Sequence, residues 1–445
     1  MKHIVIVGNG ISGVTAARFI RKHTDFKITI VSAETEYFFS RTALMYVYMG
    51  HMKFEHTKPY EDSFWKKNNI NLIKQYVNQV DFKQKRLHFE SGDVLDYDDL
   101  ILATGSKPNK FGWLGQDLIG VQGLYSFQDL ESMENNTKNI NHAVIVGGGL
   151  IGVEMAEMLT SRNITVTFLV RENSFWNIVL PRQESELINR HIREHNIDLK
   201  LSTELKEIID DGNGRVKSII TNSGEEISCE FVGLTVGVQP NIDFLKNSDL
   251  KINKGILVNE FLETNLPNVY AIGDCAEHRT PPMGRRAIEQ VWYSGRIMGE
   301  TVAHTICNKQ TPYHPGIWFN SAKFFDIEYQ TYGIVNANLG DHEEELYWEY
   351  KDGKKCIHFI FDKLNHKLIG VNTFGIRLRH EVFDKWLREE KTIDYVLLNL
   401  KQANFDPEFF NNHDEEIINE FNIKFPEVNI HAEKKKDTFT SLFSL

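Results

Sequence analysis

Cysteine is scarce in this chain of 445 residues: there are four, Cys229, Cys275, Cys307 and Cys356, and none stands in a CxxC or CxxxxC pair. That spacing excludes a close-set redox dithiol and leaves buried or incidental thiols as the plain reading. A pair brought together by folding stays open. Apolar runs approaching the ~20 residues that cross a bilayer are missing too. So is any long basic stripe, and the formal net charge is −11, which argues against nucleic acid as a partner. The chain opens Met1-Lys2-His3 and enters an apolar run, Ile4 to Val7, at once. No stretch of the signal-peptide kind precedes that run, which points to the cytoplasm. No metal site is expected.

What is present is ordinary globular material, 41% hydrophobic and 11% aromatic, enough for more than one core. At roughly 150 residues per domain, the length suggests about three domains. Two segments are alike: His3-Ile-Val-Ile-Val-Gly-Asn-Gly-Ile-Ser-Gly13 and Ala143-Val-Ile-Val-Gly-Gly-Gly-Leu-Ile-Gly152. Each is a β-type run, a glycine triplet at G-x-G-x-x-G spacing, a helical stretch, and a second β-rich run (Lys27 to Val31; Thr165 to Val170). Gly8 and Gly147 lie 139 residues apart, too far for a solenoid repeat of 20–50 residues, so the pattern is two separate nucleotide-binding domains.

In the first unit Gly8 makes the tight turn, Gly10 lets backbone approach a pyrophosphate, and Gly13 lets helix pack on sheet. Ile11 and Ser12 open the helix, whose free N–H groups and partial positive charge face the phosphates. Glu34, at the end of the second strand, is placed to bind a ribose diol. The second unit repeats this with Gly147, Gly149 and Gly152, and with Leu150 and Ile151 at the helix start. Its strand end carries Val170, Arg171 and Glu172. Arg171 could clamp a 2′-phosphate and Glu172 could accept from a 2′-hydroxyl, so NADPH is favoured and NADH is open.

From about Trp318 the texture changes. Phe324 to Tyr332, Glu345 to Tyr350 and Cys356 to Phe361 read as antiparallel strands, with Asp352-Gly353 as a hairpin turn. Helical segments follow near Arg379 to Glu390 and Ile393 to Gln402. The last ~15 residues, with Lys434-Lys-Lys436 and Phe439 to Leu445, read as a flexible tail.

Together these motifs resemble the two-dinucleotide-binding-domain FAD/NAD(P) flavoprotein superfamily, the pyridine nucleotide-disulphide oxidoreductase-like proteins. The likeness covers residues 1–317. It implies an α/β fold with two Rossmann-like, glutathione-reductase-like domains and a C-terminal α+β interface domain. The boundaries it implies are 1–112 with 245–317 for FAD, 113–244 for NAD(P), and 318–445 for the last domain, a candidate homodimer contact. Ala103-Thr104-Gly105 is similar to the family's A-T-G element, and Gly273-Asp274 to the G-D motif whose aspartate bonds FAD. By the same resemblance Arg41 would contact FAD, Val77 would meet the adenine, Glu154 would lie near the nicotinamide, and Gly237 would turn beside the pyridine nucleotide. A helix from about Ala287 to Gly299 would aim its N-terminus at the flavin.

The departures narrow the chemistry. Thr42 stands where some members carry a redox cysteine, and a hydroxyl cannot shuttle electrons as a thiolate does. Tyr46 stands where members acting on small redox proteins carry a lysine. The implied activity is therefore hydride transfer from NADH or NADPH to FAD, then electron delivery without a cysteine relay. The acceptor is a small carrier protein such as a ferredoxin or rubredoxin; a quinone, oxygen, or a slow-turnover sensing role are the alternatives.

Overall fold

The computed structural model describes residues 1–282, 284–405 and 411–431, so the expected tail lies outside the described residues. The chain divides into two compact units. One comprises Met1–Phe175 with Ile192–Gly316, the other Trp176–His191 with the stretch from Ile317 onward.

The first unit contains both glycine-bearing βαβ segments. In the first, β1 (His3–Val7) leads to α1 (Ile11–His23) and then β2 (Lys27–Ser32). Ile4 to Val7 are buried without alternation, the pattern of a parallel strand covered on both faces. β1 sits at the centre of a five-stranded parallel sheet, ordered Val269–Ala271, Asp99–Leu102, β1, β2, Ile70–Lys74. Basic residues Arg21, Lys22 and His23 fill the last turn of α1, where the helix dipole favours cations. The second segment runs β3 (His142–Val146), α2 (Leu150–Thr160), β4 (Thr165–Leu169). Its sheet is again parallel and five-stranded, ordered Asp198–Lys200, β4, β3, Phe231–Leu234, Val121–Gln122.

The helix expected from Ala287 begins later, as α3 (Trp292–Ile306). The preceding stretch, which bends at Ala287-Ile288, is tied down by a buried cluster. Glu289 accepts bonds from both Arg285 Nε and Nη2, from Ser294 Oγ at 2.8 Å and from Tyr313 Oη at 3.2 Å. A carboxylate so engaged fixes the backbone before Val291, which stays extended at φ −132°. α3 then packs on α1 at very short range: a Cβ on Gly299 would stand 2.5 Å from Ser12 O.

The second unit is built on a five-stranded antiparallel sheet, ordered Phe319–Phe324, Ile327–Gly333, Leu368–Phe374, Cys356–Asp362, Glu343–Glu349. Helices His380–Arg388, Ile393–Leu398 and Asp414–Lys424 share its core, with Tyr332, Phe359, Phe383 and Phe421 fully buried. The expected strand Phe324 to Tyr332 is two strands, because the chain reverses at Phe325-Asp326. Phe325 takes φ +55°, a conformation normally signalled by Gly or Asn. The Asp352-Gly353 turn joins its two strands as expected, with Gly353 at φ +71°.

One buried ionic group organises this unit. His358 lies between Glu184 (2.9 Å) and Glu345 (3.0 Å), and Asn372 Nδ2 donates to the second oxygen of Glu184 at 2.8 Å. Burial alone would lower the imidazole pKa, but the two carboxylates raise it to about 9. The charged ring therefore stabilises the fold fully below about pH 6.5, its ordinary pKa, and that contribution fades as pH rises to about 9. His358→Gln is expected to lower unfolding free energy by roughly 3–5 kcal/mol at pH 6. The deficit should shrink toward pH 9 in urea titrations followed by near-UV circular dichroism.

Candidate functional site

The two glycine triplets divide by what each glycine must avoid. Gly8 has φ +117°, and a Cβ there would fall 2.0 Å from Ala103 O; a Cβ on Gly13 would fall 2.1 Å from Gly8 O. Gly147 and Gly152 repeat this, 2.6 Å from Thr235 O and 2.7 Å from Gly147 O. These four are bare because the protein's own backbone fills the space. Gly10 and Gly149 differ. Both are in ordinary extended conformations, and an added Cβ meets nothing within 4 Å.

Gly10 and Gly149 are also the N-caps of α1 and α2. Neither supplies a side-chain cap, and neither helix has an acidic residue in its first turn. The first N–H groups of both helices therefore lack side-chain acceptors and carry the positive end of a helix dipole. That is an anion site in the making. Asn9, between the first two glycines, is turned away and pinned: its Nδ2 donates to Thr35 O (2.8 Å) and its Oδ1 accepts from Ser32 Oγ (2.9 Å).

A cavity of about 510 Å³ opens in front of α1, within the ~300–1,000 Å³ common for cofactor sites. Of the residues singled out in the sequence, Gly8, Gly10, Ile11, Ser12, Glu34, Arg41, Thr42, Val77, Ala103, Thr104, Gly105, Leu150, Ile151, Glu154, Gly273 and Asp274 line it. Gly13 lies beneath it against Gly8. Gly147, Gly149, Gly152, Arg171 and Gly237 are not among its lining residues. Gly237, at φ +86°, accepts from Asn109 N at 3.0 Å. Arg171 is exposed and donates from Nε and Nη2 to Glu172 at 3.0 and 2.7 Å, so the two candidate coenzyme selectors are paired with each other. Tyr46 stacks on His51 and is not a lining residue.

Glu34 is not idle. Arg41 clamps it with two bonds of 2.7 and 2.6 Å, and Phe127 N donates to it at 2.8 Å. Arg41 also donates to Tyr125 O at 2.6 Å. Asp274 accepts from Tyr125 Oη at 3.1 Å, and burial pushes its carboxyl above the ordinary range. Glu154, one turn into α2, faces the cavity; burial and then Glu157 push its carboxyl up to about 7.

Asn9, Tyr125, Ser106, Gln290 and Trp292 also line the cavity. No motif marks Ser106 or Tyr125, whereas Asn9 lies inside the first glycine motif and Gln290 and Trp292 inside the expected helix from Ala287. Gln290 and Trp292 come from the stretch before and at the start of α3, and Gln290 Nε2 donates to Ser106 Oγ at 2.9 Å. All four cysteines are free, and none is among the lining residues. Burial raises the thiols of Cys229, Cys275, Cys307 and Cys356, which makes them poor nucleophiles. Among the described residues, no helix is long and apolar enough to cross a membrane.

Known proteins are similar to this chain. The chain is 27% identical over 378 residues to the nitrite reductase [NAD(P)H] of Bacillus subtilis, covering 84% of this chain and 46% of that protein. The chain thus spans about half the length of that relative. It is 27% identical over 313 residues to the rubredoxin-NAD(+) reductase of Pseudomonas putida, covering 69% and 81%. The solved structure of a NAD-dependent persulfide reductase from A. fulgidus superposes with a TM-score of 0.83 at 24% identity, covering 96% of this chain and 84% of that one, a likeness of fold. Residues 2–297 match the family model described as pyridine nucleotide-disulphide oxidoreductase, and the chain belongs to that family.

Proposed function

We propose that this chain is an NAD(P)H-dependent FAD oxidoreductase that passes electrons to a small carrier protein without a cysteine relay. The observation that carries the proposal is the pair of bare helix caps, Gly10 and Gly149. Nothing in the protein itself requires them to lack a side chain. A diphosphate at each uncapped helix start would require it.

The cavity residues fit FAD. Gly10 to Ser12 would hold its diphosphate on α1. Arg41 uses three N–H bonds on Glu34 and Tyr125, and with five donors in all it keeps two for a phosphate. Ala103 to Gly105, Gly273 and Asp274 would hold the middle of the molecule, and Val77 the adenine end. Thr42, Leu150, Ile151 and Glu154 would face the ring end. On this reading 1–112 with 245–317 form the FAD domain, 113–244 the NAD(P) domain apart from Trp176–His191, which cluster with the last unit, and 318–445 an interface domain that offers a homodimer contact. FAD, when bound, supplies a ring that takes hydride from a nicotinamide and gives electrons onward.

The protein's work is placement and field. α2, through its uncapped N-terminus at Gly149 to Gly152, would orient the pyridine nucleotide, with Gly237 beside it. Glu154 would stand by the nicotinamide with a carboxyl that titrates near neutrality. Arg171 favours a 2′-phosphate, and hence NADPH, once drawn from Glu172. With Thr42 in the cavity and every cysteine outside it, no thiol of this chain carries electrons there, so the acceptor meets the cofactor directly. The named activity of the rubredoxin reductase relative supports a carrier protein as that acceptor.

Purified protein should be yellow, and Gly10→Glu should be colourless yet folded, because the new side chain enters space the protein leaves open. A yellow variant would overturn the assignment. Arg171→Ala should raise KM for NADPH about tenfold, the loss of one charge-assisted contact, and leave that for NADH unchanged. Comparable rises for both would remove the NADPH preference.

Glu154 has a raised pKa in the fold, so its charge destabilises the native state progressively from about pH 4.5 to about 7. Glu154→Gln should therefore match the parent in melting temperature near pH 4.5 and exceed it above pH 7. Affinity for the cationic oxidised nicotinamide, followed by equilibrium titration, should rise through pH 7 in the parent and stay flat in the variant. Turnover of NADPH with a ferredoxin or rubredoxin, against a quinone and oxygen, tests the acceptor; quinone reduction alone would sink the carrier-protein reading.

A further inference from the structure

We infer that Tyr125 is a cofactor-positioning residue, a spacer that holds the Arg41 cation and the Asp274 carboxylate apart on the wall of the cavity. The inference rests on the reading that this cavity takes FAD.

Tyr125 stands between the strand Val121–Gln122 and the helix Phe127–Asn136, in the link to the second nucleotide-binding sheet. Its ring lies against the Arg41 guanidinium, 4.4 Å from carbon to ring centroid, and its carbonyl accepts from Arg41 Nη1 at 2.6 Å. Its hydroxyl accepts from Ser106 N–H at 3.0 Å and donates to Asp274 Oδ2 at 3.1 Å. One side chain thus touches the Arg41 segment, the Ala103-to-Ser106 turn and the Gly273-Asp274 turn. Gly105 is shaped around it, since a Cβ there would stand 2.8 Å from the phenol oxygen.

The placement answers an electrostatic problem. A guanidinium and a carboxylate lining one poorly hydrated cavity attract each other strongly, and a direct pair would spend both on each other. The tyrosine touches both, its ring face on the guanidinium and its hydroxyl on the carboxylate. It offers Arg41 a π face, and it satisfies Asp274 with a neutral donor instead of a cation. Arg41 then keeps donors for a diphosphate, and Asp274 keeps an oxygen for the hydroxyls of a polyol chain. Burial and Asp274 both push the phenol above its ordinary range, so it remains a donor throughout the physiological range.

The test is equilibrium binding of FAD to flavin-free protein by fluorescence quenching, with the visible circular dichroism of bound flavin and the melting temperature of the flavin-free protein. Tyr125→Phe keeps the ring and removes the hydroxyl; Tyr125→Leu removes the spacer as well. The expected result is a Kd about tenfold higher for the phenylalanine variant, about the worth of one hydrogen bond to a charged group. The leucine variant should lose a further factor of that size or more. Both should show an altered visible spectrum, while the phenylalanine variant melts within a few degrees of the parent. If the leucine variant does not fold, the phenylalanine variant decides. Parent-like Kd and spectrum in Tyr125→Phe would overturn the inference, as would weaker binding explained by a collapsed melting temperature. Failure of the parent to take up FAD would instead overturn the proposed function.

Discussion

Two helices in this molecule begin at a bare glycine. An uncapped first turn exposes N–H donors and a partial positive charge, and natural helices usually meet that with Ser, Thr, Asp or Asn. α1 and α2 have glycine there and no acid in the first turn. Much of the first unit keeps those two ends open. The crowded glycines at positions 8, 13, 147 and 152 press each helix onto its sheet. Asn9 is turned aside onto Ser32 and Thr35, so that no local side chain fills the gap. The parallel sheets, buried on both faces, fix where the helix starts point.

The sequence made the parts with local signatures readable. Both βαβ units, their glycines and the strand ends at Glu34 and Arg171 follow from spacing and period. Most residues assigned by family resemblance also meet in one cavity. What was not readable depends on contacts between distant segments. Tyr125 sits in a link with no motif, and only the folded chain brings Arg41, Ser106 and Asp274 around it. Glu34 looked available at its strand end, yet it is held by Arg41 and the Phe127 amide. The late start of α3 depends on Tyr313 and Arg285 reaching Glu289. The reversal at Phe325-Asp326 carries neither Gly nor Asn, so an alternating pattern ran through it unbroken.

The distribution of sulfur agrees with direct electron delivery. A thiol relay needs an exposed, low-pKa cysteine beside the reaction centre. Here burial raises all four thiols, and Thr42 lines the cavity where no cysteine does. The carboxyl groups near the cavity divide by environment instead. Glu34 is bound to a guanidinium and Asp274 to a phenol, whereas burial and then Glu157 hold the Glu154 carboxyl up to about 7, so it is the one that titrates near neutrality.

The mutual pairing of Arg171 and Glu172 has a consequence for how such a protein diverges. On the proposed function, coenzyme preference would turn on a competition inside this one ion pair, with an incoming phosphate displacing the carboxylate or an incoming diol displacing the guanidinium. Neither side chain is among the buried core residues or lines the cavity in front of α1. On that proposal, exchanging these two neighbours would alter the choice of coenzyme without touching the cavity in front of α1.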